Sequence, residues 1–326
     1  MVSNPSSSVN FLQPVQEQLL QVEALMRAQA DQHHPDLGAA LQHLLASGGK
    51  RVRPAVALLT GGMLGADSNR LITLAASIEL LHTATLVHDD LIDGAFLRRG
   101  IATLNAQWSP AATVLTGDFM FARAASLAAG TDSVAVMRLF ADTLATIVNG
   151  EITQLFQARG LASRENYEQR IYAKTASMFE LAGGAAALLS PVSEAVAAQL
   201  RRFGYAIGMA FQIMDDVLDF TGEQATVGKP VASDLRQGLI TLPALYYLDA
   251  HPDDPDMRAT LGSNHLGDAA VERLVANIRL SGAIDSALDE ARRYVDQGLE
   301  CLASLPDGVE HQALEDLARY FVHRTL

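Results

Sequence analysis

The sequence predicts an all-α fold, a single domain of long helices, and two observations carry that prediction. Apolar residues recur at i, i+3 and i+4 along most of the chain, whereas the alternation of a half-buried strand is hardly seen. Hydrophobic residues make up 49% of the chain while only 6% is aromatic, and the many Ala and Leu suit a large helical core. At 326 residues the length allows two domains. No low-complexity linker or fixed-period repeat divides it, so one domain over 1–326 is expected.

Residues 1–8, polar and Ser-rich, read as a flexible tail. Phe11, Leu12, Val15, Leu19, Leu20, Val22, Leu25 and Met26 share a helical spacing and set a first amphipathic helix reaching about Ala30. Leu37–Ala46 makes a second, stopped by Ser47-Gly48-Gly49. Lys50-Arg51-Val52-Arg53-Pro54 leads into a third, with proline near its start, where its missing N–H is harmless. Further helices are expected over 54–64, 67–93, 103–129, 132–159, 164–189, 192–221, 239–250, 269–281, 283–304 and 310–325. Gly65-Ala66-Asp67, Arg99-Gly100, Gly130-Thr131-Asp132, Ser190-Pro191 and Gly222 punctuate them. His251–Gly267, rich in Pro, Asp and Gly, is expected to be an exposed loop.

The bulk chemistry narrows the function. A net charge of −13 argues against nucleic acid or an anionic membrane as the main partner. An anionic substrate stays open, because local Lys and Arg or a bound metal reverse the local field. The single cysteine, Cys301, rules out an intrachain disulfide framework and fits a reducing cytoplasm. The N-terminus shows no basic stretch followed by an apolar one, so no signal peptide is visible. Glu79, His82, Pro191 and Glu194 interrupt the most apolar segments, and none offers the roughly 18 uninterrupted apolar residues of a membrane span. A soluble, cytoplasmic protein without stable membrane insertion is expected.

Two acidic pentads stand out, Asp89-Asp90-Leu91-Ile92-Asp93 and Asp215-Asp216-Val217-Leu218-Asp219, each D-D-x-x-D in an apolar helical stretch. On a helix i and i+4 stack on one face with i+1 beside them, so each pentad is expected to aim three carboxylates at one point. That repulsion calls for cations, and hard carboxylate oxygens suit Mg²⁺, which prefers to be shared with substrate phosphates. The lack of Cys and His clusters argues against zinc. One pentad alone is most often a solvated helix end; two matched copies among apolar residues point to a multi-Mg²⁺ site holding a diphosphate. Gly49-Lys50-Arg51-Val52-Arg53 and Arg98-Arg99-Gly100 are basic clusters in an otherwise acidic chain, the first at a helix start, where free N–H groups favour anions. His82 shares a helix face with Asp89. Taken singly, the cations read as surface charges and His82 as a core histidine. Together with the carboxylates they describe two anion sites, one built through metal and one built directly from Lys and Arg.

With these residues in place the chain resembles the trans-isoprenyl diphosphate synthases (polyprenyl synthetases) over nearly its whole length. The matching stretches are Gly-Gly-Lys-Arg-Val-Arg-Pro (48–54), Leu81-His82 through Asp93, Arg98-Arg99-Gly100, Gly117-Asp118, Lys174-Thr175-Ala176, Phe211 through Asp219, Gly228-Lys229-Pro230 and Asp234-Leu235-Arg236-Gln237-Gly238. The resemblance implies a helical bundle around a central cavity, a homodimer, and head-to-tail transfer of a prenyl group from an allylic diphosphate to isopentenyl diphosphate. It implies Mg²⁺ ions, three per site, bridging Asp89, Asp93 and Asp215 to the allylic diphosphate, with Asp90, Asp216 and Asp219 completing or supporting the clusters. It places Arg98, Lys174 and Lys229 on the same diphosphate, Lys50, Arg53, His82 and Arg99 on isopentenyl diphosphate, and Thr175 and Gln212 beside the allylic cation.

Departures from the family pattern are Leu239, where a Lys often follows Gly238, leaving Arg236 or Lys229 to supply the charge, and Ala102, in place of a Pro, expected only to loosen that turn. The residues five and four before Asp89, Ala84 and Thr85, are small, which resembles medium- and long-chain enzymes rather than farnesyl synthases. Leu81, Leu80 and Ser77 lie deeper, with Phe119, Met120, Ala122 and Ala125 as candidates facing them. A class I terpene cyclase fits less well: Asp219 stands where its second motif has Ser or Thr, although Glu223 matches its last place, and a one-substrate enzyme has no use for the Lys50/Arg53/His82/Arg99 set. A non-catalytic subunit of a heteromeric synthase usually loses part of the carboxylate sets, and this chain keeps all six.

Overall fold

The computed structural model describes the chain from residue 11 to residue 323, apart from 32, 47, 99, 157–162, 223–230 and 263–266. A short 3₁₀ turn, Gln13–Val15, opens α1 (Gln16–Ala28); α2 (Pro35–Ala46), α3 (Val52–Met63) and α4 (Ser68–Ile92) follow. Asp67 caps α4 by accepting a hydrogen bond from the Arg70 N–H at 2.9 Å. By length and composition α4 is apolar enough to cross a membrane, but 78% of its most apolar window is buried inside the protein. It is the core helix of one half of the bundle.

Past α4 the chain makes a two-residue hairpin, β1 (Leu97–Arg98) antiparallel to β2 (Ile101–Ala102), with Leu97 opposite Ala102 and Arg98 opposite Ile101. The loosened turn expected of Ala102 is not seen. The Ala102 carbonyl accepts from His43 Nε2 at 2.6 Å, and the Thr103 N–H donates to the Phe96 carbonyl at 3.1 Å.

The helix expected over 103–129 is divided into α5 (Leu104–Gln107) and α6 (Pro110–Ala129). Thr103 and Ser109 each cap a helix, and Pro110 holds Ser109 extended, so α5 must end before it. After α7 (Val134–Phe156), the helix expected over 164–189 is likewise composite: α8 (Arg164–Ile171), one wide π turn (Tyr172–Ala176) and α9 (Ser177–Leu188). Then come α10 (Glu194–Thr221), α11 (Ser233–Arg236), α12 (Leu242–Ala250), α13 (Pro255–Gly262), α14 (Asp268–Leu280), α15 (Ala283–Leu302) and α16 (Val309–His323). The loop expected over 251–267 thus contains a helix, α13. Its start is specified by Asp254, whose carboxylate accepts from the Met257 N–H at 2.9 Å, and by Pro255 in the first turn.

Two adjoining cores result. The larger gathers α1–α4, α6, α7, α9, the first half of α10 and α16; the smaller gathers α8, the second half of α10, α12, α14 and the first half of α15. The long helix α10 runs through both and packs along α9 and α15, while α4 packs along α6. Helices α9 and α10 approach to backbone contact. A Cβ on Gly204 would lie 2.2 Å from the Phe179 carbonyl oxygen, and one on Gly208 would lie 2.6 Å from the Ala176 Cα. The neighbour is backbone in both cases and cannot turn aside. Gly204→Ala is therefore expected to lower stability by about 1–3 kcal/mol through forced separation of the two helices. Denaturant unfolding checks it, and an unchanged midpoint would contradict such a tight junction.

Candidate active site

Asp89 and Asp93 lie one turn apart where α4 ends, Asp93 being its C-terminal cap. Two other elements meet them there. Lys174, in the π turn, places Nζ 4.0 Å from an Asp89 carboxylate oxygen and 3.7 Å from Glu151 on α7. The π turn adds a residue to the helical path, a device often found where a helix must present side chains to a site. It lets Lys174 face α4 and α7 while its neighbour Thr175 faces α10. Burial pushes the Asp89 carboxyl up to about 6, with Lys174 opposing the shift and Glu151 and Asp93 reinforcing it. Lys174 itself is raised: burial works against its charge, but Glu151, Asp89, Asp93 and Asp234 outweigh it. It is therefore a firmly protonated ammonium.

The donor set fits a hard divalent cation. Several carboxylates crowd one lysine, and one of them, Asp89, is held above its ordinary pKa by burial, with its acidic neighbours Glu151 and Asp93 adding to the shift. Among the described residues no three His, Cys, Asp or Glu side chains close on one point by themselves.

The pentads do not each aim three carboxylates at one point; here the structure corrects the sequence reading. Consecutive helix positions are about 100° apart, so the second Asp of each pair turns inward and must find protein partners. Asp90 is buried and clamped by Arg98, whose Nε and Nη2 donate to it at 2.7–3.1 Å. Asp216 is buried too, accepting from the Tyr167 hydroxyl at 2.7 Å and from Gln212 Nε2 at 2.9 Å; burial pushes its carboxyl up to about 7. Asp219 accepts from the Ser233 N–H and hydroxyl at 3.1 Å and from the Asp234 N–H at 3.3 Å, tying α10 to α11. Asp215 is half-buried on α10.

The basic side chains separate in the same way. Arg53 and His82 are brought together, Nη1 to Nε2 at 3.3 Å, with the guanidinium over the rings of Phe179 and Phe211. Lys50 donates to the Tyr320 hydroxyl at 2.7 Å. Arg51, between them, has a left-handed backbone (φ 49°) and points away, to Glu79 at 2.8 Å and Glu23 at 2.9 Å. Arg236, one of the two residues expected to supply the charge that Leu239 leaves missing, pairs with the exposed Asp268 at 2.6 Å and donates to the Val231 carbonyl. Arg99 and Lys229 lie outside the described residues.

Sequence reasoning missed Glu151 and Tyr167. A lone acid in the apolar body of α7 was the available signal for the first; the second had none, since a tyrosine in a polar eight-residue helix looks like any surface residue.

Residues 34–278 match the family described as polyprenyl synthetase. The chain belongs to this family. Its relatives include the octaprenyl diphosphate synthase of Haemophilus influenzae, 35% identical over 300 residues that cover 91% of each chain. Another is heptaprenyl diphosphate synthase component 2 of Geobacillus stearothermophilus, 37% identical over 305 residues, 93% of this chain and 94% of that one. Among solved structures, the polyprenyl synthase of Caulobacter crescentus, complexed with calcium and isoprenyl diphosphate, superposes with a TM-score of 0.91 at 35% identity, covering 100% of both chains. A decaprenyl diphosphate synthase of Rhodobacter capsulatus gives 0.91 at 32% identity, covering 98% of this chain and 100% of that one.

In this polyprenyl synthetase Ala84 and Thr85 lie buried on α4, and the Thr85 hydroxyl is spent on the His82 carbonyl at 2.8 Å. Across from α4, the buried α6 residues include Met120 and Ala124, and the Ala124 carbonyl accepts from the Ser77 hydroxyl at 2.8 Å. Phe119 and Ala125 are half-buried and Ala122 is exposed, so of the facing candidates only Met120 is fully enclosed.

The raised Asp89 pKa has a definite sign. Between the ordinary carboxylate value and about 6 the folded chain binds a proton there that the unfolded chain releases, so Asp89 costs stability as pH rises through that window. Asp89→Asn is expected to raise the melting temperature of the metal-free protein at about pH 8, with the gain fading toward about pH 4. Thermal unfolding across that range checks it; an equal gain at both ends would assign the effect to something other than ionisation.

Proposed function

We propose that the chain condenses isopentenyl diphosphate with an allylic diphosphate and releases an all-trans polyprenyl diphosphate of twenty carbons or more. The family match over 34–278 carries this reading, and an acidic pole and a basic pole within one bundle support it. Lys50, Arg53 and His82, together with Arg99, hold isopentenyl diphosphate. Lys174 and Lys229 hold the allylic diphosphate, and Arg98 acts from its Asp90 clamp. Asp89, Asp93 and Asp215 are the ligands for three Mg²⁺ ions. When bound, such ions supply Lewis-acid neutralisation of the leaving diphosphate.

The chain's own groups account for the rest. The Lys174 ammonium stabilises charge building on the oxygen as the allylic C–O bond breaks. Thr175 and Gln212 turn dipoles toward the cation left behind, and the apolar walls exclude water that would quench it. The double bond of isopentenyl diphosphate attacks that carbon, a C–C bond forms, and a proton leaves to the departing diphosphate. No protein nucleophile is required. A homodimer completes the proposal, supported by Val114 and Leu115 on α6 and Val148, Ile152, Leu155 and Phe156 on α7, all exposed apolar side chains.

Incubation with radiolabelled isopentenyl diphosphate, Mg²⁺ and each allylic primer in turn is expected to give polyprenyl products, and chelation to abolish them. No product with any primer would favour a non-catalytic subunit, and a cyclic hydrocarbon would favour a cyclase. Arg53→Ala is expected to raise KM for isopentenyl diphosphate by about tenfold or more, the weight of one charge-assisted hydrogen bond, with KM for the primer little changed. Ala84→Phe is expected to shorten the product; unchanged length would mean that this position does not open the elongation pocket.

A further inference from the structure

Tyr167 contributes nothing to the proposed chemistry by contact, yet it is 2% exposed and its hydroxyl is spent on a carboxylate in the middle of the second acidic pentad. From it runs a chain of hydrogen bonds across three elements. Tyr167 on α8 donates to Asp216 Oδ2 at 2.7 Å; Gln212 on α10 donates from Nε2 to Asp216 Oδ1 at 2.9 Å; Thr175 in the π turn donates from Oγ1 to Gln212 Oε1 at 2.7 Å. The three links share one sense. Asp216 accepts on both oxygens, so Gln212 offers it the NH₂ end and turns its carbonyl to Thr175. Thr175 must then spend its one proton on that carbonyl. What remains at Thr175 is a pair of lone pairs on a fixed oxygen.

We propose that Tyr167 and Asp216 are positioning residues that set the polarity of Thr175, so that a lone pair rather than a proton is offered to the electron-deficient allylic carbon. This rests on the prenyl-transfer reading and deepens it. It also gives Asp216 a task different from that of a cation ligand: both of its oxygens are engaged inside the protein and it is 3% exposed. Asp215, its neighbour, turns to another face of α10. The desolvation that raises Tyr167 well above its ordinary pKa keeps it a donor.

The polarity can be reversed and restored. In Asp216→Asn the amide oxygen stays on Tyr167 and the NH₂ group meets Gln212, which flips and gives its own NH₂ to Thr175, releasing the threonine proton outward. Adding Gln212→Glu restores the original sense at unchanged total charge, because Asn at 216 donates to Glu at 212, whose other oxygen accepts from Thr175. Asp216→Asn is expected to lower kcat about tenfold or more, with KM for both substrates and the Mg²⁺ concentration for half-maximal activity within about twofold of wild type. The double variant is expected to recover about tenfold of that loss. An independent route is Tyr167→Phe, expected to lower kcat several-fold. Combined with Thr175→Val, it is expected to cost no more than Thr175→Val alone, as for members of one chain. The positioning role is overturned by a double variant no better than Asp216→Asn, by a raised Mg²⁺ requirement in Asp216→Asn, or by a Tyr167→Phe loss that multiplies with that of Thr175→Val. If Asp216→Asn does not fold, as judged by circular dichroism, the Tyr167 pair decides alone. A wild-type protein that makes no prenyl product with any primer would overturn the underlying reading; a productive wild type with an unrestored double variant would overturn only the positioning chain.

Discussion

A charge carried into an apolar interior has to be matched there, and most of the site follows from that requirement. Each acidic pentad is split by helical geometry into an outward part and an inward part. The inward carboxylates, Asp90 and Asp216, are matched within the protein by Arg98 in one case and by Tyr167 with Gln212 in the other. Losing either set of partners would strand a buried carboxylate at a cost of several kcal/mol, so these pairs anchor the ends of α4 and α10. The outward Asp89 lies 4.0 Å from Lys174, which it shares with Glu151, and burial still holds its carboxyl above the ordinary value against the pull of Lys174 and Arg98. Structural anchoring and appetite for cations are thus assigned to adjacent residues of one motif.

Distances across the site are set by backbone contact. The α9–α10 junction at Gly204 and Gly208 brings Ala176 against α10, which puts its chain neighbour Thr175 within hydrogen-bonding reach of Gln212. The wide turn before α9 lets Lys174 and Thr175, consecutive in sequence, address different helices. A site built on such elements needs little rearrangement to hold its dipoles, the condition under which they act most strongly on developing charge.

Much of this was legible in the sequence. Helical periodicity located the long elements, and the ordered motifs around Asp89, Lys174 and Asp215 identified the family. The misreadings have local causes. Ser109-Pro110 and Asp254-Pro255 are start signals for helices that looked, in a run of apolar or Pro-rich residues, like a continuation and a loop. The motif pattern treats neighbouring Asp residues as equivalent, whereas their burial differs, and burial is a property of the assembled bundle. Arg51 looked like one more cation beside Lys50 and Arg53, but its partners Glu23 and Glu79 come from helices far apart in the chain.

That arginine has a wider consequence. Its guanidinium joins α1 through Glu23, the end of α2 through the Leu45 carbonyl and α4 through Glu79, while its own left-handed backbone sets where Lys50 and Arg53 emerge. The N-terminal helix is thereby part of the frame that holds the loop carrying Lys50 and Arg53. Exchange of this helix between relatives is constrained by the substrate site as well as by the core, because a graft lacking an acid at Glu23 would leave the strained loop without one of its three fastenings.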